Sequence, residues 1–208
     1  MRYLRPVVLS LLIPVLSLVS PGLSAQSSAE TYKELKPAQP TRSGDKVEVL
    51  EVFFYGCVHC YNLEPFVRQW IETKPDNVAF YRMPIVFRED YKPLAQAFYT
   101  AEKMGVLDKV HEQLFSAIHK DRAQLFTEAP LKEFFVAQGI NGDEFTRVYN
   151  SAEISTKVTQ AEVMARRYMI SSIPTVIVNG KYLTSPAMAG GQRELFTVID
   201  QLVGKESH

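Results

Sequence analysis

Cys57 and Cys60 are the only two cysteines in a chain of 208 residues, and only Val58 and His59 separate them. That spacing has a mechanical use. If a helix begins at the first cysteine, one turn brings the two sulfurs within bonding reach. The first sulfur then sits at the helix N-terminus, where unpaired N–H groups and the positive dipole end favour a thiolate. A thiolate is the species that attacks a disulfide and also the one that departs from it. The dipole contributes up to ~2 kcal/mol, or about 1.5 pKa units, which would bring Cys57 from ~8.5 to about 7. Stronger acidity requires direct hydrogen bonds from the following N–H groups and help from His59, whose ring next to the sulfur would stabilise the anion. A stabilised thiolate favours the reduced pair and makes the disulfide the better oxidant. Zinc is the other common use of this spacing. Structural zinc takes four ligands, however, and there is no second C-x-x-C, nor a matching signature around His111 and His119.

The elements that must position this pair are legible around it. Val47 to Tyr55 is rich in β-branched and aromatic residues and apolar on both faces, as a central buried strand is. Gly56 ends it. Leu63, Phe66, Val67, Trp70 and Ile71 then recur at helical spacing through Thr73, and Pro75 closes that helix. Val78 to Met83 reads as the next strand, which makes a β-α-β unit with parallel pairing. Pro65 lies inside the helix and removes one backbone bond. Glu51 shares a strand face with Val47, Val49, Phe53 and Tyr55, so its acid is either buried or at a sheet edge. Glu64, one turn beyond Cys60, reads as a surface residue.

Helical patterns then take over. Pro93 suits a first helical turn, and stripes around Leu94–Ala101, Val110–Ile118 and Leu131–Phe135 follow. Asn141 caps a further helix, and Val158 to Met169 makes another. Strands return at Thr175 to Val178, and Asn179-Gly180 predicts a two-residue type I′ hairpin into Lys181 to Thr184. Gly190-Gly191 lead into a final amphipathic helix carrying Leu195, Ile199 and Leu202. Tyr32 to Leu35 adds a short edge strand.

Composition bounds the rest. Hydrophobic residues make up 46% and charged residues 22%, which suits an ordinary globular chain long enough to bury a core without disulfide staples. The formal net charge of zero argues against a nucleic-acid grip built on charge. Arg2 and Arg5 precede an apolar run, Val7 to Val19, which is shorter than the ~20 residues a membrane span needs. Small residues follow at Ser24-Ala25. This pattern predicts a secretory signal peptide cleaved after Ala25. Cleavage removes two of the 23 basic residues and none of the 23 acidic ones, for a net charge of −2. Export places the cysteines where disulfides persist, and a single pair retained there points to chemistry.

Leu50-Glu-Val-Phe-Phe-Tyr-Gly-Cys-Val-His-Cys-Tyr61 resembles the active-site segment of the DsbA-type thiol:disulfide oxidases. Ser172-Ile-Pro-Thr175, followed by Val176 to Tyr182, resembles their second signature. The resemblance covers essentially the whole mature chain. It implies an α/β architecture, a thioredoxin fold interrupted by an inserted helical domain. The expected division is 1–25 signal peptide, 26–88 and 169–208 thioredoxin-like, and 89–168 helical insertion. It further implies that Cys57 and Cys60 are the redox pair assisted by His59, and that Glu51 lies beneath the disulfide and relays a proton for Cys60. Pro174 would be the cis-proline facing the site, with Ile173 offering its peptide groups to an extended substrate and Val58 beside them. Val58 is a departure, since many members have proline there, and it bears on the redox potential.

The implied function is that of an exported, periplasmic, monomeric oxidase that needs no cofactor beyond its own disulfide. It would oxidise reduced secreted proteins and be reoxidised by a quinone-linked membrane partner of DsbB type. A reductase or isomerase of the same fold is the alternative. Isomerases of the family carry an N-terminal dimerisation domain, for which residues 26–46 are too short. A peptide-binding chaperone with incidental cysteines is a third reading.

Overall fold

The structure, a computed structural model, describes residues 30–207. The signal peptide expected over 1–25 lies outside the described residues. Five strands form one sheet: β1 (Lys33–Glu34), β2 (Val47–Phe53), β3 (Val78–Pro84), β4 (Thr175–Val178) and β5 (Tyr182–Thr184), in spatial order β1-β5-β4-β2-β3. β2 and β3 are parallel, joined by helix α1 (Val58–Thr73), and the other neighbouring pairs are antiparallel. Between β3 and β4 the chain forms helices α2 (Lys92–Lys103), α3 (Leu107–His119), α4 (Glu128–Ala137), α5 (Gly142–Tyr149) and α6 (Ala152–Arg167). Helices α7 (Pro186–Ala189) and α8 (Gln192–Glu206) follow β5. This is the thioredoxin arrangement interrupted by helices.

All seven residues of β2 are buried, which is what apolar residues on both faces demand of a central strand. Val47 and Val49 pack with Leu63, Val67 and Trp70 of α1 and with Leu195 and Ile199 of α8. Leu50 and Val52 belong to the other core, with Leu94 and Phe98 of α2 and Val158 of α6. Trp70 Nε1–H donates to Asp200 at 2.8 Å, which ties α1 to α8. Asn141 caps α5 by accepting the N–H groups of Asp143 and Glu144 at 3.0 and 2.9 Å.

Three local features differ from the sequence expectation. β2 stops at Phe53, because the chain turns so that Cys57 N–H donates to Phe54 O at 3.0 Å. Phe54 and Tyr55 stay buried beyond the strand, Phe54 stacked on Tyr91. The hairpin pairs Val178 with Tyr182, one residue past a two-residue turn. Asn179 and Gly180 do take the positive φ values, 50° and 64°, that Asn-Gly favours. Lys181 N–H closes the turn on Val178 O of β4 at 3.0 Å, while the Lys181 and Gly180 carbonyls accept from Leu35 N–H and Gln39 N–H of the N-terminal segment at 2.6 and 2.9 Å. Helix α7 was not anticipated. Its Ser185 cap accepts from Met188 N–H at 3.2 Å.

Gly180 and Gly44 have nearly the same backbone, φ +64° and +62°, but a Cβ on Gly180 would overlap Gln39 O while one on Gly44 meets nothing within 4 Å. Gly44→Ala is therefore expected to cost only the left-handed penalty of about 1–2 kcal/mol. Gly180→Ala should cost that plus roughly 1–3 kcal/mol of overpacking, and chemical denaturation of the two variants side by side reads the difference.

Candidate active site

Cys57 is the N-cap of α1, with extended backbone, and its carbonyl accepts Tyr61 N–H at 3.0 Å to open the helix. Its side chain is half-buried, and both cysteines are free thiols. Cys60, one turn on, is fully enclosed, while Val58 and His59 between them face solvent. One sulfur can be reached from outside and the other cannot. Cys57 Sγ stands 4.0 Å from Ile173 O, on the loop entering β4. The Ile173–Pro174 bond is cis, and Thr175 Oγ1 donates to Ser172 O at 2.8 Å as the strand begins.

The Cys57 thiol is lowered from an ordinary value of 9.0 to about 6. The first cause is the hydrogen bond that Cys60 Sγ–H donates to the Cys57 sulfur. Partial burial opposes it, and the backbone N–H groups of Cys60 and His59 then reinforce it, with the His59 charge a lesser contribution. Helix-end N–H donors matter as the spacing suggested. The partner thiol, though, contributes more than the His59 ring. Cys60 is raised far above its ordinary value, first because its proton is held by Cys57 and then by burial and the Cys57 charge. At neutral pH the reduced pair is therefore one thiolate and one thiol.

Beneath the pair runs a buried polar chain. The parallel register sets Glu51 beside Arg82. Arg82 Nε donates to Glu51 at 3.1 Å, and its second nitrogen donates to Glu64 at 2.7 Å. Glu64 is buried, contrary to the surface position expected from sequence, because Arg82 draws it inward. His111 Nε2 lies 3.4 Å from Glu64 Oε2, and both atoms are buried with no hydrogen bond to any other group among the described residues, so each has only the other to face. His111 Nδ1 is 2.7 Å from the Tyr55 hydroxyl. Glu51 is pushed up to about 7 by burial, against the charge and hydrogen bond of Arg82 and with the charge of Glu64. Glu64 goes the other way. Burial would raise it but is outweighed by the His111 hydrogen bond and by Arg82, so it stays below the usual carboxylate range.

Of the residues singled out in the sequence, the structure gathers Cys57, Cys60, Val58, His59, Ile173 and Pro174 at one sheet end. It places Glu51 in the buried chain below them. Arg82, Glu64, His111 and Tyr55 were not singled out for this chain. A lone arginine within the apolar run Val78 to Met83 was the available signal for the first. A histidine on the same apolar stripe as Leu114 and Phe115 was the signal for His111. His119, also on α3, donates Nε2–H to Tyr55 O at 2.7 Å and stacks on Tyr61.

A sequence model of the DSBA-like thioredoxin domain matches residues 76–203. The thiol:disulfide interchange protein DsbA of Pseudomonas syringae is 38% identical over 190 residues, 89% of each chain. This chain belongs to the DsbA family. The DsbA of Pseudomonas aeruginosa is 36% identical over 98% of this chain and 97% of its own. Its crystal structure superimposes with a TM-score of 0.82 at 37% identity, covering 85% of this chain and 92% of that one. DsbA of Xylella fastidiosa gives 0.79 at 27% identity, covering 85% and 95%. As a DsbA-family protein, the chain is a thiol:disulfide oxidoreductase, a disulfide-exchange oxidase that works through its own cysteine pair without a cofactor. No helix among the described residues is long and apolar enough to cross a membrane.

In the reduced protein, the alkylation rate of Cys57 should follow a single titration with its midpoint at about 6. Cys60→Ala removes the first cause of that acidity and should raise the midpoint by roughly one unit. A wild-type midpoint near 9.0 would contradict the geometry.

Proposed function

We propose that the mature chain, after loss of residues 1–25, is a monomeric periplasmic oxidase that donates the Cys57–Cys60 disulfide to reduced, newly secreted proteins. On this reading, 89–168 is the helical insertion within the thioredoxin parts 26–88 and 169–208. The observation that carries it is the asymmetry of the pair: a half-exposed, acidic Cys57 at a helix N-terminus over an enclosed Cys60.

A substrate thiolate attacks Cys57 Sγ, the Cys57–Cys60 bond breaks, and Cys60 departs with the electron pair. Cys60 takes a proton from Glu51, whose charge reaches it and whose acid titrates at about 7. A second substrate thiolate attacks the substrate sulfur of the mixed disulfide and expels Cys57 as thiolate. The substrate loses two electrons and two protons. Of the two substrate protons released to solvent, one returns to Glu51, so the enzyme keeps both electrons and one proton, while Cys57 remains ionised. Val58 and the exposed first turn of α1 flank the incoming chain. The Ile173 peptide, 4.0 Å from Cys57 Sγ, is placed to pair with it as an added strand. His59 helps hold the thiolate. A quinone-linked membrane oxidant of DsbB type then removes the two electrons.

Cys57→Ser should abolish oxidation of a reduced, unfolded test protein, and full activity in that variant would overturn the assignment. The reduction potential should lie at roughly −120 mV, the figure associated with this family, and a value of roughly −270 mV would indicate a reductase.

The same thiolate sets the effect of pH on stability. Folding depresses the Cys57 pKa from 9.0 to about 6. The gain for the reduced fold is therefore complete above 9.0 and lost as pH falls through about 6. At neutral pH the reduced protein should melt at a higher temperature than the oxidised one, with the gap closing on acidification. A lower midpoint on reduction would contradict the oxidase direction.

A further inference from the structure

Two buried carboxylates, Glu51 and Glu64, share the one guanidinium of Arg82. With both ionised, the cluster carries one uncompensated negative charge in the protein interior, which is costly. One proton removes that cost, and it must rest on whichever carboxylate is less well held. Arg82 donates one nitrogen to each, so it does not break the tie.

His111 does. Its ring is enclosed by Phe53, Phe98 and Phe115, and the polar groups that face it are few. Tyr55 faces it from the end of β2, Glu64 from α1, Arg82 from β3 and Asp108 from its own helix. The Tyr55 hydroxyl has no other acceptor among the described residues, so its O–H donates to His111 Nδ1. Nδ1 must then carry the lone pair and Nε2 the hydrogen, and Nε2 is the atom that faces Glu64 Oε2. The opposite tautomer would leave the tyrosine proton unpaired and set a nitrogen lone pair against a carboxylate.

We propose that His111 and Tyr55 are positioning residues of the exchange reaction: Tyr55 orients the ring, His111 Nε2–H holds Glu64 as the anion, and the shared proton is left on Glu51, beneath Cys60. This rests on Glu51 being the proton partner of Cys60. The opposite displacements of the two acids, Glu51 upward to about 7 and Glu64 downward, agree with it. Neither His111 nor Tyr55 touches the reacting sulfurs. They act by deciding which carboxylate titrates.

Three measurements test this. In the wild-type protein, ring ¹⁵N shifts should show His111 protonated at Nε2 with Nδ1 accepting, and the Nδ1–H tautomer would overturn the proposal without any variant. Carboxyl ¹³C titration should then place a midpoint at about 7 on Glu51. In His111→Phe, Glu64 loses its donor and takes up part of the shared proton, so the Glu51 midpoint should fall by at least about one unit. The Glu64 midpoint should rise correspondingly. His111→Gln, whose amide can accept from Tyr55 and donate to Glu64, should restore the wild-type titration. Unchanged carboxyl midpoints in His111→Phe would overturn the proposal.

The rate at which a substrate thiol opens the disulfide should follow the Glu51 midpoint through the same series. If Glu51→Gln leaves the pH profile of that rate unaltered, the role of Glu51 toward Cys60 fails, and with it any role of His111 in the reaction. The carboxyl titrations would still report which acid the histidine holds.

Discussion

Arg82 stands between two buried acids, and much of the molecule is arranged so that it can. Its side chain is 15% exposed, and those of Glu51 and Glu64 only 2% and 11%. Ions so enclosed cost several kcal/mol each to desolvate, and removing one partner typically costs 3–5 kcal/mol, roughly, because its counterpart is stranded. The arginine therefore joins three elements: β3, on which it lies, β2 through Glu51 and α1 through Glu64. Glu64 follows Cys60 by one helical turn, so the contact that neutralises it also fixes the rotation of α1 and hence the direction of both sulfurs.

The helical insertion enters the same construction. Helix α3 holds Tyr55 at two points, with His111 on its hydroxyl and His119 on its carbonyl, two residues before the nucleophile. The cysteines belong to the thioredoxin part, but the segment leading into them is secured from the insertion. A thioredoxin core alone would have to stabilise Tyr55 and the lower side of the site by other means.

Much of this was legible in the amino-acid order. The central strand, the helix opening at Cys57, the five inserted helices and the returning hairpin all carry local signals: periodicity, caps and turn residues. The cysteine pair was recognisable because its chemistry depends on residue type and short spacing, whereas Ile173-Pro174 opposite it was legible only through the family resemblance. What stayed hidden depends on pairing over distance. Glu64 is one turn beyond Cys60, and nothing nearby in sequence says that an arginine on a strand will bury it. His111 reads as one more member of an apolar stripe until Tyr55 is set against it. The extra residue in the hairpin has the same origin, since the Lys181 carbonyl is taken by Leu35 N–H.

The chain order of these parts has a consequence for how the molecule comes to exist. Cys57 and the backbone it faces at Ile173 are 116 positions apart. The edge of the sheet closes only when Leu183 meets Lys33. β2 lacks its antiparallel neighbour until residue 175 arrives. A chain that emerges N-terminus first thus presents both thiols long before it owns a wall to set against them. Such non-local closure is slow to form. For that interval the nascent chain is an unfolded dithiol, chemically the same kind of object that the finished protein oxidises.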